Sequence, residues 1–109
     1  MSAYVIAHIR RVHDRKRLEE YWANVGPTFE GTGAKPISVY APFQRVEGEG
    51  PLQGIVLVEF PDAKTAHAWY FGEAYQAVKH LREGAADIDL VISEGDVITD
   101  PQRRMPHVR

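Results

Sequence analysis

A chain of 109 residues with a formal charge of −2 has the length of one domain and lacks the concentrated basic footprint that nucleic acid requires. It contains no cysteine, which excludes disulfides, thiolate metal sites and a cysteine nucleophile and fits a cytoplasmic setting. No stretch approaches the roughly 20 apolar residues of a membrane span, and no basic region precedes the short apolar run at the N-terminus, so that run reads as a strand and not a signal peptide.

Tyr4 to Arg10 alternates. Val5, Ala7 and Ile9 form an aliphatic face that suits packing on helices, while Tyr4, Ile6, His8 and Arg10 must face water, a ligand cavity or a partner chain. Asp14 offers a helix N-cap, and Leu18, Tyr21, Trp22, Val25 and Phe29 follow at helical spacing. Arg10, Arg11, Arg15, Lys16 and Arg17 are interrupted by acids and read as a solvated strand end and first helical turn. Gly26-Pro27 interrupts the helix, because proline removes a donor and crowds the preceding turn, and Gly31-Thr32-Gly33 ends it.

Ile37 to Val46 reads as a second strand, placed at an edge or bulged because Pro42 cannot donate to a ladder. Residues 47–51 form a turn. Ile55 to Phe60 is short, β-branched and bounded by Gly54 and Pro61, which predicts a buried central strand. Asp62 suits an N-cap, and Ala63, Ala66, Trp69 and Tyr70 mark the buried face of a second helix. Residues 71–74 break it, and a further helical segment runs to about Ala86. Asp89 to Glu94 is the fourth strand. The domain spans 1–96, and 97–109 is a tail. The order strand, helix, strand, strand, helix, strand is the ferredoxin-like split βαβ arrangement, an α+β fold with a four-stranded antiparallel sheet and both helices on one face. Its open face carries apolar residues, which predicts a sheet-to-sheet homodimer.

Several stretches carry a resemblance to a known family. Ala3-Tyr4-Val5-Ile6-Ala7, Glu20-Tyr21, Glu47-Gly48, Val58-Glu59-Phe60-Pro61, Ala68-Trp69-Tyr70, Glu73-Ala74-Tyr75-Gln76 and Arg82 with Ala85-Ala86 resemble the domain-of-unknown-function 1330 family of the dimeric α+β barrel superfamily. The resemblance implies that two sheets close face to face into a barrel. It also implies kinship with cofactor-independent monooxygenases, small isomerases, polyketide cyclases and haem-handling proteins. Relatives usually carry a Gly-Gly pair after the first helix and another within the second strand. Here Gly33-Ala34 and Tyr40-Ala41 stand there, and Gly50 replaces a common tryptophan.

Glu59 is a carboxylate in an apolar strand, and desolvating its charge is costly. It serves either as a general acid or base with a raised pKa or in a structural contact with Arg82 or Tyr75. His8 is either a proton-transfer group beside Glu59 or a satisfied hydrogen-bonding residue. Tyr4, Tyr40, Tyr75, Trp69 and Arg82 are the candidate substrate-binding residues, with Tyr40 a wall or a hydroxyl source and Arg82 an anion holder. Core packing is the plain reading of Trp22, Trp69 and Tyr70, and the helix stripe favours it for Trp69 and Tyr70. His8, His13, His67, His80 and His107 lack metal-ligand spacing, and no nucleophile elbow or phosphate loop is present. The expectation is a small enzyme without a cofactor, catalysing isomerase-, cyclase- or lyase-like proton transfer on a small-molecule ligand through His8 and Glu59. The alternatives are a non-catalytic binding or structural dimer and a cofactor-free monooxygenase.

Overall fold

The structure, a computed structural model, describes residues 1–105. Strand β1 (Ala3–Val12) leads through a turn into helix α1 (Arg15–Val25). Asp14 caps α1 by accepting the Arg17 N–H at 3.1 Å, which satisfies one of the helix's orphan donors. At Gly26-Pro27 the α-helix gives way to a 3-10 turn, Gly26–Phe29, as the missing proline donor requires.

Strand β2 (Lys35–Val39) follows, then a long exposed connection, then β3 (Gly54–Phe60). The second strand is shorter than its sequence suggested. Tyr40 adopts φ 53°, the left-handed conformation, and this ends the ladder ahead of Pro42. Helix α2 (Ala63–Phe71) starts at Asp62, whose carboxylate accepts both the backbone N–H and the hydroxyl of Thr65 at 2.7 Å. The Thr65 N–H holds the Asp62 carboxyl below the usual carboxylate range. Gly72 separates α2 from α3 (Glu73–Lys79); a Cβ there would lie 2.7 Å from the Ala68 carbonyl oxygen. Helix α3 is shorter than expected: turns ending at Gly84, with φ 77°, close the segment. Strand β4 (Ala86–Glu94) therefore begins three residues before Asp89.

The sheet is antiparallel throughout, with order β2-β3-β1-β4. This is the ferredoxin-like arrangement, with β2 at an edge. The helix-facing side carries Ala3, Val5, Ala7 and Ile9 from β1, opposite Phe60, Val58, Val56 and Gly54 of β3. Against it pack Leu18, Ala66, Trp69 and Tyr75, all buried. Trp69 is the hub: its ring stacks on Phe29 at 4.9 Å and 12°, and lies 4.3 Å from Tyr75 and 5.5 Å from Phe60.

The other side carries Tyr4 opposite Glu59 and Ser93, Ile6 opposite Leu57 and Val91, and His8 opposite Ile55 and Asp89. An apolar row thus crosses the open face, ending at Val91, 52% exposed. Three of the five residues of the basic cluster make surface contacts: Arg10 with Asp89, Arg15 with Glu19, and Arg17 with the His80 carbonyl. Past the sheet, Pro101–Arg103 makes one 3-10 turn. Residues 106–109, the end of the expected tail, lie outside the described residues.

Candidate functional site

A cavity of about 120 Å³ opens between the helix-facing side of the sheet and the helices. Val5, Ala7, Val56 and Leu90 form its floor, Trp22 and Val25 of α1 one wall, and Trp69 of α2 another. An apolar cavity of about 150 Å³ takes up benzene, so this one is sized for about one ring. Tyr21, Tyr40 and Arg82 bring hydroxyl and guanidinium groups to its lining, beside the indole N–H groups of Trp22 and Trp69. Arg82 is the one charged side chain in the lining among the described residues.

These polar groups are held by one another. The Arg82 Nε–H donates to the Tyr75 hydroxyl at 3.0 Å, and the Tyr75 and Tyr21 hydroxyls lie 2.8 Å apart. The Arg82 guanidinium also sits 5.9 Å from the Tyr21 ring centroid. Among the described residues no carboxylate pairs with Arg82 within 4.0 Å. Burial works against its charge, but the Tyr75 hydroxyl and the surrounding tyrosines outweigh that, and its pKa rises. The pocket therefore holds a half-buried cation with no counter-ion among the described residues, which leaves it short of negative charge.

The phenols are acids that resist ionisation. Burial, then Tyr75, pushes Tyr21 far above the usual phenol range, and Arg82 opposes this only partly. Burial likewise raises Tyr40, against the Trp22 N–H and the charges of Arg82 and Arg15. Because both folded-state pKa values are raised, the unfolded chain loses these protons first. The two tyrosines thus contribute stability that is complete below about pH 10 and declines as pH rises further. Urea unfolding at about pH 9 and about pH 11, alongside phenolate absorbance, should show stability falling while two tyrosines still resist titration.

The structure divides the residues singled out in the sequence between two faces. Tyr40, Trp69 and Arg82 line the cavity, and Tyr75 stands behind them, fully buried. Tyr4, His8 and Glu59 lie on the open side of the sheet. His8 and Glu59 share that face, but His8 opposes Ile55, four positions from Glu59, or roughly 13 Å along the strand. The register does not bring them together as a proton-transfer pair within one protomer. Nor does Glu59 reach Arg82 or Tyr75: it is half-buried and accepts the Tyr4 hydroxyl at 3.3 Å. The reason is the pleat. Val58 and Phe60 point at the helices, so Glu59 between them points away.

Tyr21 and Trp22 are the pocket residues that helical spacing alone marks as core. Their polar ends were the available signal, because buried Tyr and Trp require partners. The Trp22 Nε1–H donates to the Tyr40 hydroxyl at 3.0 Å, with ring centroids 4.9 Å apart. The Tyr40 ring lies over Gly54, where a Cβ would come within 2.8 Å of it. Gly54→Ala is therefore expected to push Tyr40 off the cavity rim and cost about 1–3 kcal/mol, read by urea denaturation.

Among the described residues, no group of three or more His, Asp or Glu side chains could hold a metal, and no helix is long and apolar enough to cross a membrane. His107 lies outside them. The family model described as Domain of unknown function (DUF1330) matches residues 2–96. The chain belongs to this family. No curated protein sequence matches it. Solved structures show how the DUF1330 chain folds relative to others. A protein of unknown function from Rhodopseudomonas palustris superposes with TM-score 0.68 at 16% identity, over 89% of this chain and 84% of that one. A dimeric ferredoxin-like protein of unknown function from Jannaschia gives 0.60 at 15%, over 86% and 99%. SnoaB, a cofactor-independent oxygenase from Streptomyces nogalater, gives 0.60 at 4%, over 91% and 97%. At these identities the likeness speaks for the fold of the DUF1330 chain.

Proposed function

We propose that this protein binds a ring-sized organic molecule carrying an anionic oxygen (a carboxylate, enolate or phenolate) in the cavity between sheet and helices. The observation that carries this reading is Arg82, a cation without a carboxylate partner among the described residues, at a mostly apolar cavity of about 120 Å³. Apolar walls and a few convergent polar groups are the usual make-up of a small-molecule site. Any chemistry there, of isomerase, cyclase or lyase type, acts on a substrate that arrives ionised. No histidine or carboxylate lines the cavity among the described residues, and the lining phenols hold their protons. A second reading, cofactor-free oxygenation, has the same requirement for an ionised, electron-rich ring and draws support from the fold shared with SnoaB.

Both tryptophans of the chain, Trp22 and Trp69, line the cavity. Titrating the protein with benzoate and with toluene while following tryptophan fluorescence tests the proposal. Benzoate should bind at least tenfold more tightly than toluene. Equal binding, or no change in fluorescence, would contradict it.

The working unit in this reading is a homodimer closed through the open sheet faces. The apolar row Ile6, Leu57 and Val91 supports it, as does the dimeric protein of the same fold from Jannaschia. His8, Tyr4 and Glu59 then sit in the subunit contact. Ile6→Glu should leave the protomer folded and give a monomer by light scattering, because it places a charge in the middle of that contact. The absence of cysteine fits a cytoplasmic protein.

A further inference from the structure

The Arg82–Tyr75–Tyr21 cluster beside the cavity leaves one hydroxyl proton without a protein acceptor among the described residues. Tyr75 is fully buried, and its hydroxyl has two partners, the Arg82 Nε–H and the Tyr21 hydroxyl. Arg82 can only donate. The Tyr75 oxygen therefore accepts from Arg82, and the Tyr75 proton has one acceptor within reach, the Tyr21 oxygen. The reverse arrangement, with Tyr21 donating to Tyr75, strands the Tyr75 proton inside the core at a cost of a buried unsatisfied donor. The Arg82 guanidinium lies 5.9 Å from the Tyr21 ring centroid and has no proton acceptor to offer the Tyr21 hydroxyl. The Tyr21 oxygen thus accepts from Tyr75, and its own proton has no protein acceptor among the described residues. Tyr21 lines the cavity.

We propose that the Tyr21 hydroxyl is a preset hydrogen-bond donor to the ligand, aimed by the chain Arg82 to Tyr75 to Tyr21, so that the pocket selects ring molecules bearing an acceptor oxygen next to the ring, charged or neutral. This rests on the cavity being the binding site. It extends the ligand class from anionic oxygens to ring-borne acceptor oxygens in general, aryl ketones included. Tyr21 is the binding residue, and Tyr75, which does not line the cavity, is a positioning residue.

A pair of isosteric probes separates the donor from the cavity. Acetophenone and α-methylstyrene have the same shape, and the second carries CH₂ in place of the carbonyl oxygen. Their affinities for the wild type, Tyr21→Phe and Tyr75→Phe are measured by tryptophan fluorescence, and the carbonyl stretch of bound acetophenone by infrared spectroscopy. In the wild type acetophenone should bind about tenfold more tightly than α-methylstyrene, with its carbonyl band shifted to lower frequency. In Tyr21→Phe the preference and the band shift should vanish while α-methylstyrene affinity stays unchanged. Tyr75→Phe should fall in between. If α-methylstyrene binds but acetophenone has no advantage, the donor is overturned and the cavity stands. If the preference survives Tyr21→Phe, the donor is another group, and the assignment is wrong. If Tyr75→Phe keeps the full preference and band shift, the positioning role fails. If neither probe binds the wild type, the cavity reading falls and this inference with it. Should Tyr75→Phe not fold, Tyr21→Phe alone decides whether the donor exists.

Discussion

Trp69→Ala should lower the unfolding free energy by about 3–5 kcal/mol, the largest single loss expected in this domain. Trp69 is 7% exposed and touches Phe29, Phe60, Tyr70 and Tyr75. Truncation empties the centre of the layer between sheet and helices, and neighbouring rings held on two helices and a strand cannot collapse into the gap. It also removes the Nε1–H that donates to the Thr28 hydroxyl at 2.9 Å, which ties α2 to the turn after α1. Domains of this size are stable by about 5–15 kcal/mol, so at the low end the variant would keep only about 0–2 kcal/mol. Urea denaturation followed by circular dichroism gives the measurement. Trp69→Phe should lose much less, since a ring still fills most of the space and only the Thr28 contact goes.

Arg82→Met should do the opposite: little to stability and much to binding. Its hydrogen bond in the fold is to the Tyr75 hydroxyl, which keeps Tyr21 as a partner, so the expected destabilisation is about 1 kcal/mol or less. Removing a half-buried charge that has no carboxylate partner among the described residues works in the stabilising direction. A hydrogen bond to a charged group contributes about 1.5–3 kcal/mol, so benzoate affinity should fall roughly 10- to 100-fold. Toluene affinity should hold, because the methionine stem still lines the wall. A variant that loses both ligands equally would mean that Arg82 shapes the cavity and does not hold an anion.

Much of the architecture can be read from residue patterns. The alternation of Tyr4 to Arg10 identifies which face packs on helices, Pro27 marks the end of α1, and Asp62 marks the start of α2; each rests on chemistry local to a few residues. The left-handed Tyr40 is different. Such a position usually takes glycine or asparagine, and nothing beside Tyr40 announces that the strand ends there. It is held by a backbone hydrogen bond to the Ile55 carbonyl and by Trp22, both distant in sequence.

The candidate site is legible in part. Tyr40, Trp69, Tyr75 and Arg82 do converge. The Tyr21–Tyr75 hydroxyl pair spans 54 positions, and helical spacing reports only that Tyr21 faces inward. Glu59 drew attention as a carboxylate in an apolar strand. The same alternation that points Val58 and Phe60 at the helices points Glu59 to the other face, away from Arg82. Period two tells faces apart but does not say which face holds a cavity.

That alternation also provides the most direct test of the binding site. Methyl-labelled protein titrated with benzoate reports both faces of the sheet in one spectrum. If the cavity is the site, Val56, Ile88 and Leu90, which line it, should shift strongly, while Ile6, Leu57 and Val91, on the open face, stay in place. Shifts confined to Ile6, Leu57 and Val91 would put the ligand beside His8 and Glu59 and contradict the assignment to the cavity.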